Sequence, residues 1–375
     1  MKLQVERDAL AEAVAWTART LPVRPPVPVL AGILLEADDR LKLSSFDYEV
    51  SSRVAIDVNV SEPGTALVSG RLLAEITRNL PDRPVEIGTE GSKVTLVCGS
   101  ARFTLLTLPV EDYPSLPDMP ELSGRVAGEV FASAVGQVAI AASRDDTVPM
   151  LTGVRLEIEG TKVTMAATDR YRLALRELEW WPERADISAA ALVPAKTLAD
   201  SAKSLSTDVA IALSSETGGE GMIGFESGDR RTTTRLLDDR FVPYRSLLPD
   251  SVGSRAEVTT SLLVEAVKRV ALVAERNTPV RLSFTDGEVL LEAGSGDEAQ
   301  AVETVPVTLQ GDPVRTAFNP HFLLDGLQAT DSGTTRLDFT TSTKPAILTP
   351  APAEGADDES PPAYRYVLMP VRLSG

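Results

Sequence analysis

Side chains that commonly carry chemistry are scarce in this 375-residue chain: there is one histidine, His321, and one cysteine, Cys98. A Ser-His-Asp or Cys-His relay, or a histidine-rich metal site, would have to use His321. A lone cysteine excludes an internal disulfide and any multi-cysteine metal site. Cys98 ends the run Val94-Thr95-Leu96-Val97-Cys98, where alternation puts it on the same strand face as Val94 and Leu96. It reads as a small packed residue. Neither a G-x-x-x-x-G-K-[ST] phosphate loop nor a G-x-G-x-x-G after a strand occurs. The pairs Asp145-Asp146, Asp238-Asp239 and Asp357-Asp358 have the oxygen donors a hard cation needs. They stand among turn-forming polar residues, where solvated loop charge is the plainer reading. No catalytic residue, metal site or cofactor is expected.

The setting of His321 explains it without catalysis. Phe318-Asn319-Pro320-His321-Phe322-Leu323-Leu324-Asp325 repeats a pattern found at Val68-Ser69-Gly70-Arg71-Leu72-Leu73-Ala74-Glu75 and at Val193-Pro194-Ala195-Lys196-Thr197-Leu198-Ala199-Asp200. The three begin 125 residues apart. Each has an apolar strand end, a turn, a basic or imidazole side chain, a leucine two residues on, and an acid two beyond that. A period this long is a whole domain and not a solenoid unit. Leu10-Ala11-Glu12-Ala13-Val14, Phe131-Ala132-Ser133-Ala134-Val135 and Leu263-Val264-Glu265-Ala266-Val267 form a second set in the same order. Each opens a helical pattern that runs through polar residues to a proline, at Pro28, Pro149 or Pro279. One fold written three times is the expectation.

Each copy reads strand, helix, several strands, helix, several strands. Alternation is clearest over Arg53 to Val60 and recurs at Lys93–Leu96, Lys162–Met165, Arg336–Phe339, Val154–Ile158 and Val280–Phe284. Helix patterns of about ten residues follow Arg71, Lys196 and His321. Antiparallel strands with two helices per copy imply an α+β class, helices on one face and antiparallel sheets on the other. Proline-rich turns at Pro114-Ser115-Leu116-Pro117 and Leu247-Leu248-Pro249 set the expected domains at 1–123, 124–250 and 251–375. Pro350 to Pro362 is proline-rich and acidic, a surface loop or disordered insertion. No apolar run approaches the roughly 20 residues of a membrane helix. Met1 to Arg7 is charged and alternating, a strand and not a signal peptide. A cytoplasmic protein is expected.

A net charge of −17 argues at first against nucleic acid. Placement on the helices alters that. Arg71 and Arg78, and Lys196 and Lys203, are seven residues apart from the same repeat position, so each pair shares a helix face. His321 and Gln328 make the third copy weaker. Arg19, Arg144, Lys268, Arg269 and Arg276 lie on or near the other helices, with Arg24 in the loop after the first. Screening acts over about 8 Å at physiological ionic strength, so distant acids need not cancel a local basic face. The competing reading is a solvated helix face with scattered cations. With no interleaved aromatics, contacts would be with phosphates and blind to sequence.

Several motifs bear on this choice. The ending Tyr366-Val367-Leu368-Met369-Pro370-Val371-Arg372-Leu373, together with Thr168-Asp169-Arg170-Tyr171-Arg172-Leu173-Ala174, Phe241-Val242-Pro243-Tyr244-Arg245 and Arg102-Phe103-Thr104-Leu105, resembles the bacterial sliding clamp, the beta subunit of DNA polymerase III. The resemblance spans the whole chain. It implies a non-catalytic processivity factor: a head-to-tail homodimer of three-domain subunits closed around double-stranded DNA without regard to sequence. The DNA-facing cations would be Arg24, Arg71, Arg78, Arg144, Lys196, Lys203, Lys268 and Arg276. The dimer seam would use Phe103, Leu105, Leu272 and Val273 as its apolar contact, with Arg102 facing third-domain acids, Glu298 and Glu303. Such an interface is heterologous and closes a ring when the rotation permits.

The resemblance also implies a pocket that takes a short linear motif from the replicative polymerase, the clamp loader and repair proteins. Matched by motif, its lining is Leu151, Thr168, Arg170, Arg172, Leu173, Val242, Leu247, Asn319, Phe322, Thr343, Val367, Leu368, Met369, Pro370, Val371 and Arg372. Arg170-Tyr171 stands where the family commonly has Gly-His, Ser246 where a basic residue often lies, and Val371 in place of a methionine. These departures point to a paralogue with an altered, inhibitor-tolerant pocket. Two rivals remain: a carboxylate hydrolase on a repeated scaffold, and a protein-only scaffold that does not encircle DNA.

Overall fold

The computed structural model describes residues 1–204, 207–214, 221–237, 241–249, 251–274, 278–294, 299–352 and 362–372. By its contacts the chain divides into two compact units. One holds Met1–Ala132, Trp180–Ile187 and Thr197–Leu236; the other holds Ser133–Glu179, Ser188–Lys196 and the chain from Leu237 on.

The first unit is built on a 14-stranded sheet, antiparallel throughout. Strands from the N-terminal third join strands from the middle third where Val50–Ile56 pairs with Arg230–Arg235. The second unit carries a 12-stranded sheet. Its join pairs Arg172–Glu179 with the last strand, Tyr364–Leu368, in a register running from Arg172↔Leu368 to Arg176↔Tyr364.

Six helices are present among the described residues: α1 (Arg7–Thr17), α2 (Gly70–Arg78), α3 (Gly128–Ala139), α4 (Ala195–Ala202), α5 (Thr260–Val270) and α6 (Pro320–Ala329). In α1 the buried residues include Leu10, Ala13, Val14 and Thr17, the i, i+3, i+4, i+7 spacing of one helix face. In α5, Leu263, Ala266, Val267 and Val270 repeat it. In the first unit α1 packs on α2, and Leu10, Val14, Leu73 and Ile76 meet Ile33, Leu35, Leu43, Val54 and Leu96 of the sheet. In the second, α5 packs on α6. The three segments spaced by 125 residues are strand-to-helix junctions: Gly64–Ser69 leads into α2, Ser188–Pro194 into α4 and Val314–Phe318 into α6.

Pro28 and Pro149 do more than end a polar stretch. Each opens a single 3-10 turn, Pro28–Ala31 and Pro149–Leu151. The run from Arg53 to Val60, expected as one strand, is two: Val50–Ile56 and Asn59–Glu62. They pair with different partners, Leu41–Phe46 and Lys2–Val5. Exposed Asp57 sits at the break and pairs with Arg40 at 2.8 Å. Alternation passes through unaltered because a period of two carries no information on chain direction. Cys98 is fully buried, its Sγ 3.3 Å from the carbonyl oxygens of both Pro81 and Arg83.

In each unit a connecting segment lies on the sheet. Leu108, Val110, Tyr113 and Leu116 pack on Val29, Leu34 and Leu67. Phe241, Val242, Tyr244 and Leu248 form a cluster with Ala166, Leu173, Leu175 and Val367. Of the loop expected at Pro350 to Pro362, Pro350 closes a strand and residues 353–361 lie outside the described residues. No helix among the described residues is long and apolar enough to cross a membrane.

Candidate functional site

The turn 168–172 of the second unit is fixed by its own polar groups. Thr168 Oγ1 donates to the Arg172 carbonyl at 2.6 Å and accepts the Arg170 N–H at 3.2 Å. Asp169 Oδ1 accepts the N–H groups of Tyr171 and Arg172 at 3.0 and 3.1 Å. The tight reversal leaves Arg170 at φ 80°, the left-handed region that costs an L side chain about 1–2 kcal/mol. The Tyr171 carbonyl accepts the Met369 N–H at 2.9 Å, tying the turn to the C-terminal segment.

Arg172 follows with its side chain 9% exposed. Nε donates to Asp169 Oδ2 at 2.9 Å, and Nη1 donates to Asp325 Oδ2 at 2.5 Å and to the Tyr366 hydroxyl at 3.3 Å. The cation lies 4.4 Å from the Phe322 ring centroid, and the Tyr171 ring stacks on Phe322 at 6.2 Å. α6 presents these partners. Asn319 caps it, accepting the N–H groups of His321 and Phe322, and Pro320 takes the first turn, where no N–H is needed. Gly326 lets the helix lie on Tyr366, since a Cβ there would come within 2.5 Å of that ring. The Tyr366 hydroxyl donates in turn to the Phe322 carbonyl at 2.8 Å.

Among the described residues, two hollows border this framework. The first, about 590 Å³, is lined by Leu151, Arg170, Arg172 and Phe322, with Asp169, Tyr171, His321, Asp325 and the segment Ala142–Asp145. The second, about 570 Å³, is lined by Arg315, Thr316, Ala317, Ser342, Thr343, Pro370, Val371 and Arg372. The lining read from sequence as one pocket is thus divided between two hollows. Several expected members line neither. Leu368 is fully buried, and Leu173 and Val367 are 2% and 3% exposed, packed into the cluster under Val242. Thr168, 4% exposed, spends its hydroxyl on the turn. Leu173 and Val367 are cross-strand partners on the face under Val242, and Leu368, the next residue along the strand, is buried on the opposite face. Asn319 acts as a helix cap, and Leu247 and Met369 are exposed outside both hollows. Tyr171, read from sequence as a departure in or beside the pocket, lines the first hollow, and so do Asp169 and Asp325, which the motif-matched lining does not include. Asp325 had a signal, since it is the acid the repeat shares with Glu75 and Asp200.

Beside the hollows, Tyr244 and Arg245 anchor their connector to the sheet. The Tyr244 hydroxyl and Arg245 Nη2 both donate to Glu157 Oε2, at 2.8 and 2.7 Å. Burial opposes ionisation of Glu157, but hydrogen bonds from Arg245 and Tyr244 outweigh it and hold the carboxyl below its usual range. Burial, then the bond to Glu157, pushes the Tyr244 phenol up to about 12.

The expected DNA-facing cations are dispersed in their circumstances. Arg24, Arg78, Arg144 and Lys196 are exposed. Arg71 is exposed but donates to the carbonyls of Pro22 and Val23 at 3.0 and 3.2 Å. Lys203 falls just past α4, with Asp200 at 3.6 Å. Lys268 pairs with Glu265 at 2.9 Å, and Arg276 lies outside the described residues. Arg24 and Arg144 stand in coil and not on helices.

Of the expected seam residues, Phe103 is 38% and Leu272 84% exposed, Val273 is half-buried and Arg102 is exposed. Leu105 is corrected: at 3% exposed it belongs to the core of the first unit, and Leu106, 70% exposed, takes the outward place. Both follow from alternation along Ala101–Leu108, once its inward side is known. Glu303 is held by Arg269 at 2.5 Å, and Glu298 lies outside the described residues. Among the described residues no cluster of three or more His, Cys, Asp or Glu could hold a metal ion.

Comparison with known proteins gives the same answer along the whole chain. The family models for the N-terminal, central and C-terminal domains of the DNA polymerase III beta subunit match residues 1–117, 125–243 and 245–371. The chain is 64% identical to the beta sliding clamp of Streptomyces coelicolor over all of both chains. It is 46% identical, again over all of both, to the beta sliding clamp homolog GriR of Streptomyces muensis. The Bacillus subtilis sliding clamp matches at a TM-score of 0.90 and 25% identity, over 100% of this chain and 99% of that one. A Pseudomonas aeruginosa clamp bound to griselimycin matches at 0.90 and 27%, over 100% of both. The chain belongs to the DNA polymerase III beta subunit family, the beta sliding clamps.

Proposed function

We propose that two copies of this chain close head to tail into a ring around duplex DNA and tether the replicative polymerase, the clamp loader and repair proteins. The observation that carries this is the 64% identity to a beta sliding clamp over the full length of both chains. The sheet edges support the closure. Among the described residues, 101–106 of Ala101–Leu108 pair on one side only, with Lys93–Cys98, and 301–307 of Ala301–Gln310 only with Gly287–Ala293. Such open edges invite pairing with another chain. Exposed Phe103, Leu106, Leu272 and Val302 would supply the apolar contact across that seam.

Arg24, Arg78, Arg144, Lys196 and Lys203 are assigned to phosphates, with Arg71 and Lys268 able to join by giving up bonds to a loop and to a neighbouring acid. A closed ring holds DNA by topology, so weak and sequence-blind contacts suffice. We assign it no reaction and no cofactor, and a place in the cytoplasm. The hollows of the second unit would take the partners' short linear motif on apolar walls with a few orienting polar groups. Arg170 at φ 80° and Tyr171 stacked on Phe322 favour an altered pocket. Weaker binding of griselimycin than by the Streptomyces coelicolor clamp would support that alteration, and equal binding would remove it.

The ring is tested by loading the protein on nicked circular DNA. Retention should be lost when the circle is linearised, and equal retention on both forms would overturn the ring. Charge reversal of Arg24, Lys196 and Lys203 together should reduce loading with the thermal melt unchanged.

A further inference from the structure

The strand Val314–Phe318 is the last of the 12-stranded sheet and, among the described residues, pairs with a strand on one side only, Val280–Thr285. In a strand the N–H and C=O of one residue point to the same side, and successive residues to opposite sides. The Ala317 carbonyl accepts the Val371 N–H at 2.8 Å, so Ala317 and Arg315 face the open edge while Val314, Thr316 and Phe318 face the sheet. Among the described residues Val371 alone bonds to this edge, at its Ala317 end. At Arg315 both backbone groups are turned outward, into the hollow of about 570 Å³.

The same hollow carries two exposed cations, Arg315 and Arg372. Neither has an ion-pair partner among the described residues. In a chain of net charge −17, two unpaired guanidinium groups on one hollow are a local reversal of sign. Ser342 and Thr343 add hydroxyls on one wall, and Pro370 and Val371 an apolar floor. Guanidinium groups bind carboxylates in a bidentate, directional way, and an open edge binds extended backbone.

We propose that the edge at Arg315, at the margin of the second hollow, receives an acidic, extended segment of a partner protein that flanks the docked motif. Arg315 and Arg372 read the carboxylates, and the Arg315 peptide groups add the segment as one more strand. The proposal rests on the peptide-docking reading above and supplies what that reading lacks, a preference for charge beyond the motif.

The test is fluorescence anisotropy with the full-length protein and a labelled peptide carrying the clamp-binding motif of the replicative polymerase. The core peptide is compared with versions flanked on both sides by Glu-Asp, by Gly-Ser or by Lys-Lys. Glu-Asp flanks should bind about five- to tenfold more tightly than Gly-Ser, as expected for two exposed charge pairs with good geometry. Lys-Lys flanks should bind more weakly. Arg315→Glu should abolish or reverse that order, and N-methylation of the acidic flank should remove its advantage on the unaltered protein, where folding is not in question. A core peptide that fails to bind overturns the docking reading and this proposal with it. A core peptide that binds equally with all three flanks overturns this proposal alone. An advantage that survives N-methylation overturns the strand addition.

Discussion

Replacing Arg172 with methionine should unfasten the turn 168–172 from α6 and destabilise the second unit by about 2–3 kcal/mol. The magnitude follows from unequal exposure of the two acids. Removing one partner of a buried pair costs about 3–5 kcal/mol because the other charge is stranded. Asp169, 12% exposed, would be stranded, but it keeps two backbone N–H donors. Asp325, 42% exposed, can return to water. Both discounts bring the cost below that range, to about 2–3 kcal/mol with the lost contact to the Phe322 ring included. In calorimetry the transition of the second unit should fall by roughly 5–10 °C. Asp325→Asn alone should cost under about 1 kcal/mol, as half-exposed pairs do. Arg172→Lys should recover less than half of the loss, since an ammonium cannot span Asp169, Asp325 and Tyr366 in one planar fork. A Tm change within 2 °C for Arg172→Met, with Arg172→Lys indistinguishable from it, would refute the view that this guanidinium joins turn to helix.

Three further outcomes are expected. Leu105→Ala should lower the stability of the first unit by about 2–4 kcal/mol. Leu106→Ala should leave the melt unchanged and weaken self-association in sedimentation, so equal melts for the two variants would contradict their assignment to opposite faces. Tyr244→Phe should cost about 1 kcal/mol, discounted for partial exposure of the bond to an ionised carboxylate. The Glu157 carboxyl is depressed, so this stability is full above pH 4.5, the ordinary glutamate value, and fades as the pH falls below it. A gap between Tyr244→Phe and the parent that persisted unchanged in acid would exclude Glu157 as the partner. Arg170→Gly should raise stability by up to about 1 kcal/mol, strain relief at φ 80° less the added chain entropy of glycine. Arg170→Ala retains the strain and should not, which denaturant titration of both variants would check.

Much of this architecture is legible in the sequence because repetition amplifies weak signals. One Val-Ser-Gly-Arg segment means little, but three at one spacing mark strand-to-helix junctions, and Val68, Val193 and Phe318 stand there. The helices are legible from the spacing of Leu10, Val14, Leu263 and Val267. What was not legible depends on closure in three dimensions. Alternation put Leu105 and Leu106 on opposite faces without saying which face met the core. Leu173, Val367 and Leu368 carry the motif of a pocket, yet strand pairing buries all three, Leu173 and Val367 on one face of the sheet and Leu368 on the other. Arg170 at positive φ leaves no trace in composition. The edge position of Val314–Phe318 follows from which strands fail to pair with it, and no local pattern records a missing neighbour.

The strands of the middle third are divided between two sheets, joined at Val50–Ile56 to Arg230–Arg235 and at Arg172–Glu179 to Tyr364–Leu368. Repeat boundaries and folding boundaries are therefore different things in this chain. A fragment cut to one repeat would bare a row of unpaired backbone at each severed join and should aggregate or mispair. The chain carries three domains on one plan, but no copy is an independent part. Insertions, fusions and tags will be tolerated in loops, and the middle copy cannot be exchanged as a cassette without matching both of the edges it completes.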